Sequence, residues 1–378
     1  MKRVGHSRDT RVDIDLDAIS DNLRSFRRHL NAHTKIMAVV KADAYGHGAV
    51  EVARTALAEG AAWLGVALLD EALELREAGI AAPILVLGWV RPSEAWIAAE
   101  NDISLTVFQS DWLSKANHSI KANFTLNIHL KLDTGMGRLG IRDDREMLRI
   151  LRQIRANSCF RIEGVFTHFA TADELDPSYF NRQHERFHCM LSLLSDSGAD
   201  PAVIHCANSA AALQFPDKAF DLVRLGISMY GLTPSEEMNP VLPFQLKPAF
   251  SLHSRLVHVK QIKPGDAVSY GATYVAEGNE WIGTVPMGYA DGWLRKISAG
   301  GEVLVDGARA PIVGRICMDF FMVRLPEEKP IGTAVTLIGE QGNDRIRVDD
   351  IARMLETITY EIPCMISDRV PRVYKNGR

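Results

Sequence analysis

The sequence contains no apolar run long enough to cross a membrane. Its longest apolar stretch, residues 82–90, is interrupted by Pro83 and is far shorter than the roughly 20 residues that a spanning helix needs. The first residues are basic and polar and lack the apolar centre of a secretion signal. These absences predict a cytoplasmic protein without a membrane segment.

Cysteine is scarce, and the common metal-binding motifs are absent. The five cysteines are widely spaced, and neither CxxC nor HExxH occurs. This pattern favours reduced thiols over a disulfide framework or a zinc site. Basic residues are scattered through a chain of net charge -4, so no basic stripe is available for nucleic acid or an acidic membrane surface. We therefore expect no metal, nucleic-acid or membrane partner.

The first part of the chain alternates between strand-like and helix-like segments. Short aliphatic or β-branched runs are separated by amphipathic segments such as residues 70–78 and 145–155. This alternation predicts parallel strands joined by helices. Eight such units match an N-terminal (β/α)8 TIM-type barrel, although an open doubly wound sheet shares the pattern. The predicted strands are residues 35–40, 63–68, 83–88, 103–108, 124–132, 161–169, 202–206 and 222–227.

A second domain of a different class follows. Residues 234–248 are rich in proline and turn residues, and helical periodicity nearly disappears after them. Short strand-like runs separated by turns indicate a mostly β fold, with one helix expected at 348–355. We predict a barrel domain at residues 1–245 and a mostly β C-terminal domain at residues 246–378.

Residues with catalytic potential lie where the predicted strands end, because these ends share one mouth in a barrel. Lys41 closes the first strand. Its partly desolvated amine is a candidate Schiff-base nucleophile, although a single lysine there more often only extends to solvent. The fifth strand leads into a GxGxxG pattern at 135–140. A dinucleotide-binding loop is one interpretation, but a turn that presents Arg138 to a carboxylate fits at least as well, since the helix begins only near Asp143.

The last three predicted strands end in further polar or glycine positions. These are His168, Asn208, Ser209, Arg224, Gly226 and Ile227. The loops after strands seven and eight are the usual phosphate site of this architecture, and Ser209 with amides near Gly226 could form it. Ser209 as an ordinary N-cap and His168 as a hydrogen-bonded strand residue are the alternatives. An imine-forming lysine beside a phosphate site suggests pyridoxal 5'-phosphate (PLP).

Motifs along nearly the whole chain carry a family resemblance. They are AVVKADAYGHG, LKLDTGMGRLGI, THFATADE, HCANSAA, VRLGISMYG, VSYGATY, GYADGW, VGRICMD and TYEIP. With these motifs the chain resembles the bacterial PLP-dependent alanine racemases. The resemblance implies a homodimeric isomerase that interconverts L-alanine and D-alanine and supplies D-alanine for peptidoglycan precursors.

The resemblance implies two catalytic bases. Lys41 would bind PLP and act on one face, Tyr270 of the partner subunit would act on the other, and Arg224 would face the pyridine nitrogen. One base on each face is the simplest way to invert a carbon centre. A tyrosine base needs a site that stabilises phenolate, since its unperturbed pKa is about 10, and a network of His168 and Arg224 could do so.

Further roles are implied around the substrate. Arg138 and the backbone near Met318 would orient its carboxylate, and Lys131 would be carbamylated and would steady Arg138. Phe320 stands where such proteins commonly have a polar residue, so hydrogen bonding behind the substrate differs here. The other implied cofactor contacts are Tyr45, His168, Asn208, Ser209, Gly226, Ile227 and Tyr360. The implied entrance residues are Tyr289, Asp173, Arg295 and Ile358.

Other interpretations remain open at the level of sequence. They are a non-catalytic PLP-binding barrel, a racemase for another small amino acid such as serine, a PLP decarboxylase and an NAD-dependent oxidoreductase that uses residues 135–140. The appended β domain with Tyr270 disfavours the first. Arg224 disfavours the decarboxylase, which is expected to carry an acid at the pyridine nitrogen.

Overall fold

The computed structural model describes residues 7–121 and 123–375, so the first six residues, which entered the search for a secretion signal, lie outside it. The chain divides into two compact units. The larger is Ala18–Lys247, and the other combines a strand near the start of the chain with the residues from Pro248 onward. None of the described helices is both long and apolar enough to cross a membrane.

The larger unit contains a parallel eight-stranded barrel, which confirms the predicted fold class. After the first strand, β1 (Arg11–Asp15), its strands are β2 (Lys35–Val39), β3 (Trp63–Val66), β4 (Ile84–Val86), β5 (Ile103–Val107), β6 (Leu126–Lys131), β7 (Phe160–Phe166), β8 (Val203–His205) and β9 (Leu222–Leu225). Neighbours pair in the order β8-β7-β6-β5-β4-β3-β2-β9. The N–H of Arg224 donates to the carbonyl of Ala207 at 3.0 Å, which joins the two ends of this order. The barrel is therefore nearly closed.

Helices connect the barrel strands. They are α1 (Leu16–His29), α2 (Lys41–Gly46), α3 (Ala49–Ala58), α4 (Leu69–Glu77), α5 (Ala95–Glu100), α6 (Ser110–Ala116), α7 (Asp144–Ala156), α8 (Ser178–Asp196) and α9 (Ser209–Gln214). Helix α7 shows why they form. Its buried stripe is Met147, Ile150, Leu151 and Ile154. This is helical spacing, and Asp143 caps the N-terminus by accepting the N–H of Glu146 at 2.9 Å.

Strands such as β3 and β4 are buried on both faces, which explains why they are continuous apolar runs in the sequence. All five residues of β5 are buried. Side chains from four strands, Met37, Trp63, Leu85 and Leu222, pack into one cluster. This packing holds the strand ends, and the residues on them, in fixed positions.

The second unit is mostly β, as predicted. Its remaining elements are β10 (Phe250–Arg255), β11 (His258–Ile262), β12 (Ala267–Val268), β13 (Tyr274–Val275), β14 (Glu280–Val285), β15 (Glu302–Val305), β16 (Ala308–Val313), β17 (Phe321–Leu325), β18 (Ala334–Gln341), β19 (Asp344–Ile346), α10 (Val348–Leu355), α11 (Glu361–Met365) and β20 (Arg372–Lys375). The main sheet has the order β11-β14-β17-β16-β15-β18-β10-β1-β20. Helix α10 coincides with the helix expected at 348–355, whereas α11 was not predicted.

Strand β1 belongs to this second unit rather than to the barrel. It pairs antiparallel with β10 and parallel with β20, and Val12 and Ile14 are fully buried. The structure therefore departs from the predicted division at the start of the chain, since the residues up to Asp17 group with the β unit. A five-residue strand with alternating apolar residues looks the same whichever sheet it joins, so the sequence alone did not place it.

Candidate active site

Lys41 follows β2 and begins α2, which is a turn of left-handed helix. Residues 42–45 have φ angles between 51° and 55°, although none of them is glycine. This conformation costs an ordinary residue roughly 1–2 kcal/mol, so four in succession persist only where other contacts hold them. One such contact is from the N–H of Ala42 to Oε1 of Glu71 at 2.6 Å. The contact between α2 and α4 therefore sets the direction of the backbone that follows Lys41.

Tyr45, in the same turn, lies against the loop that follows β9. Its ring packs on Tyr230 with 5.1 Å between centroids, and the hydroxyl of Tyr230 donates to the carbonyl of Val39 at 2.8 Å. A Cβ at Gly226 would lie 2.6 Å from the Tyr45 hydroxyl, so only glycine allows this approach. The N–H of Gly226 donates to Oγ of Ser209 at 3.0 Å. A phenol, a serine hydroxyl and a backbone amide therefore converge on one point.

Asn208, rather than Ser209, caps helix α9. Its Oδ1 accepts the N–H of Ala211 at 3.0 Å. Ser209 is the first helical residue and is buried, and its hydroxyl bonds to Gly226. The interpretation of Ser209 as an N-cap is therefore wrong. Ile227, which follows Gly226, is buried at the start of a short 3-10 helix, Ile227–Tyr230.

Arg224 lies on β9 and is 4% exposed. Its Nη1 donates to Nδ1 of His205 at 3.0 Å, and its Nη2 donates to the carbonyl of Thr167 at 2.8 Å and to Nδ1 of His168 at 3.2 Å. Burial lowers the pKa of Arg224 to about 10, so it remains a cation at neutral pH. Its Nε–H donates to no group in the described part of the chain, which leaves one donor of a fixed guanidinium for a ligand.

Lys131 ends β6 in the same region. Burial, followed by the positive charges of Arg224, Arg138 and Lys41, lowers the pKa of Lys131 to about 7. Burial and the charges of these four cations also hold the pKa of His168 well below its usual range. The predicted barrel residues therefore act on one another electrostatically. Such a concentration of positive charge attracts an anionic ligand.

The glycine-rich loop after β6 does not have the form of a dinucleotide site. Oδ1 of Asp133 accepts the N–H groups of both Gly135 and Gly137 at 3.0 Å, so these amides are already bonded within the loop. Helix α7 begins only at Asp144, as the sequence predicted, and not directly after the glycines. Arg138 extends from the loop and is exposed. The loop is therefore a turn that presents an arginine.

Tyr270 lies in the second unit, on a turn between β12 and β13. Two flanking residues, Ser269 and Ala272, have positive φ angles of 68° and 44°. The hydroxyl of Ser269 donates to the carbonyl of Arg315 at 2.6 Å and so ties the turn to the segment that leads to Met318. Tyr270 itself is 68% exposed. The fold therefore holds the phenol of Tyr270 on a constrained turn and exposes it.

Met318 and Tyr289 are connected through the backbone of the second unit. The N–H of Ala290 donates to the carbonyl of Met318 at 3.1 Å. Asp291 is fully buried and accepts a hydrogen bond from Nη1 of Arg8 at 2.7 Å, which anchors the Tyr289 loop.

Large apolar side chains are exposed across this unit. They include Tyr270, Tyr289, Leu294, Met318, Phe320 and Ile358.

The other predicted residues have less distinctive surroundings. Arg295 is exposed, and Tyr360 is half-buried just before α11. Asp173 is a half-buried residue of the barrel unit whose carbonyl accepts the hydroxyl of Ser235 at 2.8 Å, and burial raises the pKa of its carboxyl. Phe320 is exposed, and its carbonyl accepts the N–H of Cys317 at 2.8 Å.

Sequence reasoning missed several residues that hold this site. Glu71 supports the left-handed turn, and His205 and His129 lie behind Arg224 in the barrel interior. The available signal was a histidine within each of two predicted strands, in β6 between Ile128 and Leu130 and in β8 after Ile204. A buried polar side chain needs a partner, so two such residues on different strands are candidates to bond each other.

The residues of the barrel unit suit PLP. The set contains a primary amine on Lys41, the hydroxyl groups of Tyr45 and Ser209 for a phosphate, and the uncommitted Nε–H of Arg224 for a ring nitrogen. The charges of Lys41, Arg138 and Arg224 all act on Lys131 and His168, so several cations are available to an anionic cofactor. The described residues contain no cluster of three or more acidic, histidine or cysteine side chains suited to a metal ion.

Comparisons with known proteins assign both parts of the chain to one family. Residues 14–234 match the family described as alanine racemase, N-terminal domain, and residues 249–374 match the alanine racemase C-terminal domain. An alanine racemase from Geobacillus stearothermophilus is 59% identical over 97% of this chain and 94% of its own length. The structure of alanine racemase from Bacillus anthracis with bound L-Ala-P is 51% identical, with a TM-score of 0.96 over 98% of this chain and 95% of that one. A histidine racemase from Leuconostoc mesenteroides subsp. sake is 32% identical, with a TM-score of 0.92 over 99% of this chain and 100% of that one.

Proposed function

The chain belongs to the alanine racemase family, and from this premise we propose that it interconverts L-alanine and D-alanine with Lys41 and Tyr270 as its two bases. The observation that carries the proposal is the convergence of Lys41, Arg224 and a phosphate-type donor set at one end of the barrel. The D-alanine would serve peptidoglycan precursors.

The barrel residues would hold PLP in a fixed orientation. Lys41 would bind it covalently, and Arg224 would donate its Nε–H to the ring nitrogen. PLP, when bound, supplies the electron-withdrawing conjugation that acidifies the α-carbon of the amino acid. The proposed phosphate contacts are Tyr45, Ser209, Gly226 and Ile227 of the barrel unit and Tyr360 of the second unit. His168 and Asn208 are the proposed neighbours of the ring.

The two bases would work from opposite faces of the α-carbon. We assign the amine of Lys41 to one face and the phenol of Tyr270, from a second copy of the chain, to the other. His168 can support the phenol: its Nδ1 accepts from Arg224, so in the neutral ring Nε2 carries the proton and can donate it in a hydrogen bond. Such a bond would stabilise the phenolate form of the base.

Arg138 and the backbone near Met318 would orient the substrate carboxylate. Lys131 would support Arg138 as a carbamate. Its pKa of about 7 leaves much of the amine unprotonated at neutral pH, and this form can add CO2 and release one proton. The carbamate anion formed would be stabilised by the same cations that lower the pKa of the amine.

A homodimer would bring Tyr270 to the site and cover apolar surface. Tyr270, Met318 and Ile358 are each more than half exposed in the single chain, and large exposed apolar side chains of this kind commonly mark an interface. Tyr289, Asp173, Arg295 and Ile358 would line the entrance. A histidine racemase shares this fold, so the fold alone does not select alanine. Another small amino acid such as serine is therefore the alternative substrate.

Replacement of Tyr270 tests the two-base assignment. Purified holoenzyme in D2O should racemise L-alanine with deuterium incorporation at the α-carbon. Tyr270→Phe should keep bound PLP but lower kcat by about 10²- to 10⁴-fold, because one proton-transfer group is missing, and exchange from L-alanine should suffer most. Circular dichroism follows the racemisation, and NMR follows the deuterium.

Tyr274→Phe is the matched control. Tyr274 lies on β13, close to Tyr270 in sequence, and its hydroxyl donates to Glu280 of the same unit. This variant should racemise at nearly the normal rate. A Tyr270→Phe variant as active as Tyr274→Phe would refute the assignment of Tyr270 as a base. Faster turnover of L-serine than of L-alanine by the unmodified enzyme would favour the alternative substrate.

A further inference from the structure

A chain of four polar side chains runs through the barrel interior behind the proposed cofactor site. Nη1 of Arg224 lies 3.0 Å from Nδ1 of His205, and Nε2 of His205 lies 2.9 Å from Nδ1 of His129. Nε2 of His129 lies 3.4 Å from Oε2 of Glu163. Both histidines are fully buried, whereas the Glu163 side chain is 18% exposed. The chain therefore connects the buried arginine to a carboxylate at the edge of the solvent.

The backbone is shaped to make this chain. In the pairing of β6 with β7, Ile128 pairs with Ile162 and His129 pairs with Gly164, which leaves Glu163 as the extra residue of a bulge. A bulge redirects the side chain of its extra residue. Gly164 provides the space for the imidazole, because a Cβ there would lie 2.4 Å from Nδ1 of His129.

Aromatic rings fix the orientation of the two imidazoles. Phe166 stacks on His205 with ring centroids 4.7 Å apart and planes 5° from parallel. Trp63 contacts the His129 ring edge-on, with centroids 5.2 Å apart. The two imidazoles are therefore packed in place, and the directions of their ring nitrogens are set by the core.

The direction of each hydrogen bond follows from its two ends. Arginine can only donate, so Nδ1 of His205 is an acceptor and Nε2 carries the proton of the neutral ring. That proton is donated to Nδ1 of His129, whose own proton is consequently on Nε2. Nε2 of His129 forms no hydrogen bond within the described residues, and Oε2 of Glu163, at 3.4 Å, is the acceptor that it faces. The Arg224 donor at one end and the Glu163 acceptor at the other both require the proton to lie on Nε2 of each imidazole.

The surrounding charges are consistent with two neutral imidazoles between opposite charges. Burial and the nearby Arg224 hold the pKa of His205 well below its usual range, and burial lowers the pKa of His129. Burial raises the pKa of Glu163, but the hydrogen bond from Ser104, the nearby His129 and the charge of Arg161 outweigh this effect and lower it overall. Glu163 is therefore ionised at neutral pH.

We propose that Glu163 is a positioning residue for Arg224, acting through the two neutral Nε2–H imidazoles of His129 and His205. The other described partners of Arg224 are carbonyl oxygens and His168, none of which carries a negative charge. The relay gives a buried cation a carboxylate counterpart at a distance and fixes Nη1, so that Nε faces its ligand in one orientation. The effect of this relay on turnover rests on the proposed role of Arg224. The tautomers of His129 and His205 do not depend on that role.

Nitrogen NMR of the holoenzyme tests the relay directly. In protein labelled with 15N-histidine, the shifts of the two ring nitrogens distinguish the Nε2–H tautomer, the Nδ1–H tautomer and the imidazolium ion. His129 and His205 should both be neutral with the proton on Nε2 at pH 7, and the loss of each signal in His129→Gln and His205→Gln assigns it. An Nδ1–H tautomer or an imidazolium ion at either position would overturn the proposal, whatever the activity of the enzyme.

Variants of Glu163 test its influence on Arg224. Glu163→Gln keeps an oxygen acceptor but removes the charge, and Glu163→Leu removes both. We expect kcat to fall about threefold in the first and about tenfold in the second, with KM changed less than about twofold because Glu163 contacts no substrate. The 15N shifts of His129 and the absorption maximum of the bound PLP should both be retained in Glu163→Gln. Both should be altered in Glu163→Leu.

Glu59→Gln is the matched control. Glu59 is also in the barrel unit, its side chain is 19% exposed, and it pairs with Arg24, but it has no contact with the histidines. It should leave kcat, the imidazole signals and the PLP spectrum unchanged. If Glu163→Gln and Glu163→Leu both behave like Glu59→Gln, Glu163 is not a positioning residue. If Glu163→Leu does not fold, Glu163→Gln and the wild-type tautomers still decide the question. Absence of racemase activity in the wild type would refute the proposed function without changing the tautomer result.

Discussion

At the scale of single residues, the site depends on placing cations close together in a buried region. The charges of Arg224, Arg138 and Lys41 add to the effect of burial in lowering the pKa of Lys131, and the charge of Arg138 does the same for Arg224. Each positive charge raises the free energy of a further positive charge nearby, and a bound anion relieves this repulsion. Burial, reinforced by this repulsion, explains how much of the Lys131 amine can be neutral at physiological pH.

Carbamylation of Lys131 should increase with pH. Only the unprotonated amine adds CO2, and a pKa of about 7 means that this form grows from a minor to a major fraction between about pH 6 and pH 8. With 13C-bicarbonate, the carbamate signal in a 13C spectrum should rise over this range. Lys131→Gln should lose the signal, while Lys121→Gln, which changes an exposed lysine, should keep it. A signal that is absent at pH 8 would contradict the assignment.

At the scale of elements, the left-handed turn α2 is the least expected feature of the barrel. Four non-glycine residues share a conformation that is normally visited singly. Contacts from outside the turn, such as the bond from the N–H of Ala42 to Glu71, offset this local cost. The turn carries Lys41 at one end and Tyr45 near the other, so its shape sets the spacing between the amine and the phosphate donors.

Glycine should be tolerated in this turn and not in an ordinary helix. Ala44, in α2, and Ala53, in α3, are both fully buried. Ala53→Gly loses a methyl group and helix propensity and should reduce the free energy of unfolding by about 2 kcal/mol. Ala44→Gly loses the same methyl group but removes the strain of a left-handed conformation. Its effect on the free energy of unfolding should therefore be near zero. Urea unfolding measures both, and equal destabilisation would show that the turn is not strained.

At the scale of the whole molecule, the proposed site needs residues from two copies of the chain. The barrel unit supplies Lys41 and Arg224, and the second unit presents Tyr270 and Met318 on exposed loops. Two inactive variants with lesions in different units should therefore complement each other, since a mixed dimer contains one intact site.

Mixing Lys41→Ala with Tyr270→Phe chains tests the shared site. Random reassociation gives mixed dimers for half of the molecules, each with one intact site of two, so activity should recover to about a quarter of the wild-type value. Lys41→Ala mixed with Arg224→Ala is the control and should not recover, because both lesions lie in the barrel unit. Recovery in the control, or its absence in the test mixture, would mean that Tyr270 acts in another way.

The sequence by itself determined the alternation of strands and helices, for which a barrel and an open doubly wound sheet were the two interpretations, and the identity of most candidate residues. Parallel strands that are buried on both faces must be continuous apolar runs, and polar residues such as Lys41, His168 and Ser209 were visible where those runs end. The mostly β character of the second unit was visible from its short runs and turns. These features depend on residues that are close together in the chain, which is why pattern alone was sufficient.

Only the tertiary structure decided the left-handed turn at Lys41, the membership of β1 in the second unit and the relay from Glu163 to Arg224. Only Asp43 and Gly46 in α2 are of residue types that adopt positive φ angles readily, and β1 has the alternation of any short strand. His129 and His205 are 76 residues apart in the chain. Each of these features is stabilised by contacts between distant segments, and such contacts have no counterpart in local composition or periodicity.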